Sequence, residues 1–323
     1  MDFRAIWTSL RGLFDDIKEE DQFFNQKPLL AHYTTIDALD KILESGEFWL
    51  SNPLLMNDYE EVAFGIGNAT RLVGESTTIR DTLRDEAVWR EFLRAYEMFW
   101  SRFSIDHVLN VYIFCLSRHD KMLDANGKLS MWRGYGGNGN GAAIVFRTDQ
   151  FPNVENAPLI LTPIEYASND QRIEWINAKI EKFCELVEGV KVDIENAEYC
   201  AQILFSRFEL FSLYTKHNGF SEEREWRVAY LPSRDTGGVL AHLYGYAVSS
   251  RGIAPKLKLK IEDFPGAPKG MRLEDMIDGI ILGPTSSSPL SKEAVIRMCD
   301  RHGRPSLKER ITTSSIPFRP LSG

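Results

Sequence analysis

Cysteine is sparse in this chain of 323 residues: Cys115, Cys184, Cys200 and Cys299 are scattered, with no C-x-x-C and no adjacent histidine pair. That scatter excludes a disulfide framework and offers no zinc-ligand spacing. Long apolar runs are also missing. No uninterrupted stretch approaches the ~18 residues of a membrane span, and the opening M-D-F-R-A-I-W-T-S-L-R has no signal-peptide core, so a cytoplasmic protein without a membrane partner is expected. Basic charge is in deficit, 38 Lys+Arg against 46 Asp+Glu for a net charge of -8. This argues against a surface that coats nucleic acid, while leaving room for a local basic groove. No repeat or low-complexity linker marks a boundary. What is present is an ordinary globular composition, 43% hydrophobic and 26% charged, with ample material for a core.

Residues 1–26 set Trp7, Leu10, Leu13, Phe14 and Ile17 at helical spacing against D-D-I-K-E-E-D. An amphipathic N-terminal helix is predicted, docked on its own domain or on a partner. Leu29–Tyr33 reads as a strand, Thr34 or Thr35 as a helix cap, Ile36, Leu39, Ile42 and Leu43 as the helix stripe, and Gly46 as its stop before a second strand, Phe48–Ser51. His32 thereby falls at a strand end beside a helix N-terminus, where backbone N–H groups favour an anion such as a diphosphate. A hydrogen-bonding histidine at a loop is the other reading. Asn57 or Asp58 caps a further helix, and capping alone accounts for Asp58, Glu60 and Glu61, because no histidine or calcium-loop glycine accompanies them. Residues 70–104 read as a packing helix pair.

Val111–Ser117 is the clearest core strand. Gly134, Gly136 and Gly139 then spell G-x-G-x-x-G, but the segment leads into a strand, Ala142–Phe146, where a dinucleotide fingerprint would enter a helix. A glycine-rich connection is expected instead. Met131, Trp132 and Tyr135 share one helical face; they are core, or Trp132 and Tyr135 form a flat wall for a planar ring. A strand within 151–167, helical pattern from Asn169 to Tyr214, the alternating K-L-K-L-K-I-E, a buried strand in I-D-G-I-I-L-G-P, a capped helix and a last strand in I-T-T-S-S-I-P-F-R-P complete the chain. The expected organisation is α+β: one mainly β domain, 27–323, with helical insertions at about 70–104 and 169–214.

The stretch Phe220–Tyr230 reads F-S-E-E-R-E-W-R-V-A-Y. Trp226, Val228 and Tyr230 alternate as a half-buried strand would, so Glu223 and Glu225 fall two apart, before or on it, aimed at one face. Two like charges at that range call for a cation or a polar ligand. A solvated edge neutralised by Arg224 and Arg227 is the alternative.

The ordered set H-Y-T, N-D-x-x-E, F-C-L-S, M-W-R-G-Y and E-E-R-E-W-R, followed by I-I-L-G-P, resembles a widespread bacterial family catalogued as a domain of unknown function, over nearly the whole chain. The opening H-Y-T-T-I-D-A-L-D-K-I-L-E-S-G is also similar to the first motif of the ADP-ribosyltransferase superfamily, notably members that modify nucleic acid or process RNA phosphates. The resemblance implies an ADP-ribosyltransferase-like split β-sandwich with helical insertions, using NAD as substrate and no metal. It implies His32 on the NAD ribose or diphosphate, Tyr33 or Thr34 beside it, and Ser117 supporting the site from the middle strand. Glu225 is then the catalytic glutamate and Glu223 the group that orients or deprotonates the acceptor. F-C-L-S departs from the S-T-S of arginine-modifying toxins, and no tyrosine is uniquely assigned to the nicotinamide.

The function so implied is an NAD-dependent ADP-ribosyltransferase of toxin or phage-defence type, acting on a macromolecule, with RNA or DNA somewhat ahead of protein. An antitoxin or folding partner is expected with it, the helix within 1–26 or the last strand being the docking candidates. NAD hydrolysis alone, or a non-catalytic nucleotide sensor, are the alternatives. The joint presence of His32, Glu223 and Glu225 favours a catalyst.

Overall fold

The computed structural model describes residues 3–16, 27–56, 59–150, 157–249, 252–264 and 267–318. Ile17 of the expected amphipathic stripe and the expected caps Asn57 and Asp58 lie outside these residues. The strands, in chain order, are β1 (Leu29–Thr35), β2 (Glu47–Ser51), β3 (Tyr112–His119), β4 (Gly141–Arg147), β5 (Leu159–Pro163) and β6 (Glu165–Ala167). They continue with β7 (Thr215–His217), β8 (Glu225–Tyr230), β9 (Tyr244–Ser249), β10 (Gly252–Lys260), β11 (Ile277–Leu282) and β12 (Ile311–Thr313). Helices and strands are present in one α+β chain that forms two compact units. One comprises Met1–Lys18, Asn52–Val111 and Ile164–Phe220; the other comprises Glu19–Ser51, Tyr112–Pro163 and Ser221–Gly323.

The first unit is helical and collects the N-terminal helix with both expected insertions. Within the described residues of the N-terminal segment, helix Phe3–Leu10 is followed by a 3-10 turn, Arg11–Phe14. Leu10 and Leu13 are buried, but Trp7 stays 45% exposed. The helix expected after Asn57 and Asp58 runs Tyr59–Gly74, and the pair expected over 70–104 forms as Thr77–Leu83 and Glu86–Arg102. The reason is capping: Ser76 Oγ accepts from Ile79 N and Asp85 Oδ1 from Ala87 N, each starting a new helix. Helices Asn169–Glu188 and Ile194–Tyr214 begin with capping boxes at Ser168 and Asp193. The second of them is buried nearly all round, as a central helix is. Its Phe211 stacks on Trp175 at 4.1 Å, and Arg207 caps the other contact of that ring at 4.3 Å. Strands β6 and β7 pair in parallel within this unit.

The second unit is a ten-stranded sheet. Along the path β12-β11-β4-β1-β3-β2-β10-β9 every pair is antiparallel except β11–β12, and β5–β8 joins at β3. Of the expected C-terminal strand only Ile311–Thr313 pairs, in parallel with β11. Strand β3 is where the sheet forks. Ser117 pairs with both Ala31 of β1 and Glu225 of β8, whereas Ile113 pairs with both Ser51 of β2 and Ala229 of β8. A strand has two hydrogen-bonding edges, so β8 takes one, and β1 and β2 share the other at opposite ends.

Alternation sorts the side chains to two faces. Leu30, Phe114, Leu116, Trp226 and Val228 point into the main core with helices Ile36–Ser45 and Pro289–Arg301. Ala31, Tyr33, Ala143 and Val145 point to the opposite face, where Met131 and Trp132 of the short helix Leu129–Gly134 cover them. The glycine-rich connection into β4 serves this packing. A Cβ at Gly136 would lie 2.5 Å from the Trp132 ring, and one at Gly141 would lie 2.1 Å from Thr34 O. These glycines allow close approach of chain to chain.

Candidate functional site

The E-x-E segment is half turn and half strand. A 3-10 turn runs Asn218–Glu223, Arg224 takes a left-handed φ of 44°, and β8 starts at Glu225. A non-glycine residue held there costs about 1–3 kcal/mol, a strain found at functional positions. The turn is tied down from both sides. Arg118 N donates to Arg224 O at 2.8 Å, and the Arg224 side chain is ion-paired with the buried Asp124.

Glu225 stands directly across from Ser117 on the adjacent strand, on the face opposite the main core. It is 5% exposed, and its Oε1 accepts from Arg227 Nε at 2.9 Å and Nη2 at 2.7 Å. Ser117 donates its hydroxyl to Glu223 O and accepts from Lys128 Nζ at 2.6 Å. Lys128 also donates to Arg118 O at 2.8 Å. The Glu223 carboxylate accepts from Tyr135 Oη at 2.9 Å. Tyr33 enters through its hydroxyl, which accepts from Lys128 N at 2.9 Å. Six of the expected residues, Tyr33, Ser117, Trp132, Tyr135, Glu223 and Glu225, are thus brought to one face.

His32 and Thr34 are not among them. Each sits one residue from Tyr33, so each points to the other face of β1. The His32 ring stacks on Phe114 at 4.2 Å, and its Nδ1–H donates to Cys115 O at 3.0 Å, at the place where β1 parts from β3. Although the residue keeps partial exposure, burial of the ring pushes its pKa down to about 4, against the small opposing effect of the Cys115 bond. This is a neutral histidine that closes the fork. Trp132 is fully buried and meets Tyr33 edge-on at 4.8 Å, with its Nε1 donating to Asn126 O. It offers no open wall; Tyr135, half-buried, is the accessible ring of the two.

Three further groups belong to the site. Lys128 has its pKa lowered to about 8, first by burial and then by the Arg224 cation, with Asp124 opposing. Arg224 enters by way of its turn. His119, two residues beyond Ser117 on the same face, is buried, and its Nδ1 has no hydrogen-bond partner among the described residues. Burial lowers its pKa, Asp124 opposes, and Lys128 adds to the lowering. Alternation from Ser117 was the one signal that could have pointed to His119.

On the main-core face, Phe48, Leu50, Phe114, Leu116, Phe146, Val228 and Phe264 line a cavity of about 20 Å³. That is room for about one water and is wholly apolar, so it is no nucleotide site. Among the described residues no cluster of three His, Cys, Asp or Glu could hold a metal, and no helix is long and apolar enough to cross a membrane.

No curated protein and no solved structure matches the chain. Residues 131–228 match the model of a family described as Protein of unknown function (DUF2971), a span that runs from within the helix Leu129–Gly134 to β8 and so includes Tyr135, Glu223, Glu225 and Arg227.

Proposed function

We propose that the chain is an NAD-dependent ADP-ribosyltransferase, that the sheet forking at β3 is the split β-sandwich of that fold, and that the site lies on the Ser117–Glu225 face. The observation that carries this reading is the cross-strand pair of Ser117 and Glu225, with the Glu223 turn closed over the serine. Cleavage breaks the bond between the ribose C1′ and the nicotinamide nitrogen. The bonding pair leaves with nicotinamide, which departs neutral and needs no acid, while positive charge grows on the ribose. Glu225, oriented through Oε1 by Arg227, is the fixed negative group that stabilises this charge. The acceptor then bonds C1′ and gives its proton to Glu223, held by Tyr135; such general-base work contributes ~10²–10⁴ in rate.

Corrected for the side-chain directions, the diphosphate partners in this reading are Lys128 and Arg224. His32 keeps a structural part on the other face. The acceptor is a macromolecule, RNA or DNA ahead of protein, in a toxin or phage-defence setting that calls for a neutralising or folding partner. Incubation with NAD labelled in the adenine, in the presence of RNA, DNA and protein, tests the reading. Label on a macromolecule supports transfer. Free ADP-ribose alone supports an NAD glycohydrolase, binding without turnover supports a sensor, and neither binding nor turnover overturns all three.

A further inference from the structure

The far arm of the sheet carries a row of charge that the NAD chemistry does not use. In β10, alternation sends Leu257 and Leu259 into the core and leaves Lys256, Lys258 and Lys260 on the outer face. The register sets these lysines opposite Ser51, Trp49 and Glu47 of β2. Lys258 Nζ lies 4.1 Å over the Trp49 ring, and Trp49 Nε1 donates to Glu47 Oε2 at 2.8 Å. Lys256 Nζ donates to Ser51 Oγ. On the other side of the row β9 sets Gly245 opposite Lys256 and Ala247 opposite Ala254, and its exposed Tyr246 brings its ring to 5.9 Å from Lys258 Nζ. A Cβ at Gly245 would already come within 3.3 Å of Lys258. The result is a flat shelf with Lys260 exposed and Trp49, Lys256 and Lys258 half-exposed.

Cations on every second residue of a strand repeat at roughly 6.6–6.8 Å, in line with an indole. That combination suits a flexible polyanion whose flat rings stack: phosphates meet the ammonium groups and a base meets the ring. Glu47 on the same face, and Asp263, whose Oδ2 accepts from Lys260 N, moderate the charge and with it the affinity. At physiological salt the Debye length is about 8 Å, so the local row outweighs the net charge of -8 carried by the chain.

We propose that the outer face of β2, β10 and β9 binds single-stranded nucleic acid, with Lys256, Lys258 and Lys260 on successive phosphates and a base stacked on Trp49 in place of Lys258. The proposal stands apart from the NAD reading and needs no turnover.

Fluorescence anisotropy of a short labelled single-stranded oligonucleotide, titrated with the full chain over a salt series and without NAD, is the test. Binding is expected at ~10⁻⁴–10⁻⁶ M, with a slope of log affinity against log salt near about -2, since each phosphate contact contributes about 0.7. Lys260→Ala, a change at an exposed position, should flatten that slope by about 0.7. Trp49→Ala should weaken binding by roughly 5- to 150-fold, while Trp49→Phe, which keeps a ring and guards against misfolding, retains most of it. Absence of binding at every salt overturns the proposal, as does binding that neither the lysine nor the Trp49 changes alter. Equal competition by anionic phospholipid vesicles would mark a diffuse cationic patch and overturn it too. Nicotinamide release by Lys260→Ala, followed in parallel, stays at the wild-type level, so loss of this site and loss of the NAD chemistry read out separately.

Discussion

Ser117 and Glu225 face each other across β3 and β8, while His32, one residue past Ser117's other partner Ala31, turns its ring to the opposite face and stacks on Phe114. A histidine that was expected to touch the nucleotide is therefore separated from the carboxylates by the thickness of the sheet. The polar work on the Glu225 face falls to Lys128, Arg224, His119 and Tyr135.

Glu225 and Arg227 form a buried pair, 5% and 1% exposed. Removing one partner leaves a buried charge without its counterion, which typically costs about 3–5 kcal/mol. Glu225→Ala is expected to lower stability by about that amount in denaturant titrations, and Glu225→Leu combined with Arg227→Leu to recover most of it. The double variant should still lack NAD cleavage. Equal stability of wild type and Glu225→Ala would remove the pair from the account.

Stability near neutral acid pH should report His32. Its folded pKa of about 4 lies below the ordinary 6.5, so the unfolded chain binds more protons between those two values. The neutral ring's contribution is fully present above pH 6.5 and is lost as pH falls through 6.5 towards 4. In thermal melts over that window His32→Phe should lose less stability than wild type. Parallel curves for the two would mean that the ring titrates normally.

Lys128 gives a second window on the alkaline side. Its folded pKa of about 8 lies below the ordinary 10.5, so again the unfolded chain binds more protons between the two, and stability rises with pH there. The cost of burying the charged amine is present in full below pH 8 and is relieved towards 10.5. Lys128→Met should lack this gain, so the difference between wild type and variant should shift in favour of wild type as pH rises. A constant difference would contradict the placement of Nζ against Ser117.

Much of this fold is legible in the sequence because strand and cap signals are local. Thr35 caps its helix, Gly46 stops it at φ 71°, and the V-Y-I-F-C-L-S run is the central strand. The helix pair within 70–104 divides where Ser76 and Asp85 each cap a new helix. The E-x-E segment is legible as two acids before or on a strand; the left-handed Arg224 divides them, with Glu223 in the turn and Glu225 first on β8. His32 could have been assigned to the far face by alternation within H-Y-T-T alone, given Tyr33 as a guide. Lys128 was out of reach, since its role comes from a long-range approach to Ser117 that no local spacing encodes.

The two aromatic candidates are expected to part in kind. Trp132 is packed under β1, so Trp132→Ala should cost about 3–5 kcal/mol of stability. Tyr135→Phe keeps the packing and removes the hydrogen bond to Glu223, worth about 1.5–3 kcal/mol to a charged acceptor. Melting temperature should fall further for the first than for the second, and transfer should fall for the second. A Tyr135→Phe protein with full transfer activity would take the ring out of the site.

The central claim is most directly tested by following nicotinamide release and ADP-ribose transfer together, in purified wild type, Glu223→Gln and Glu225→Gln, each checked for a cooperative melt. The account predicts that Glu225→Gln lowers both reactions by ~10²–10³, because it removes the charge facing the ribose. It predicts that Glu223→Gln lowers transfer more than hydrolysis by water, because it removes only the acceptor's base. No nicotinamide release from folded wild type, or release that survives Glu225→Gln and is abolished by Glu223→Gln, would contradict it.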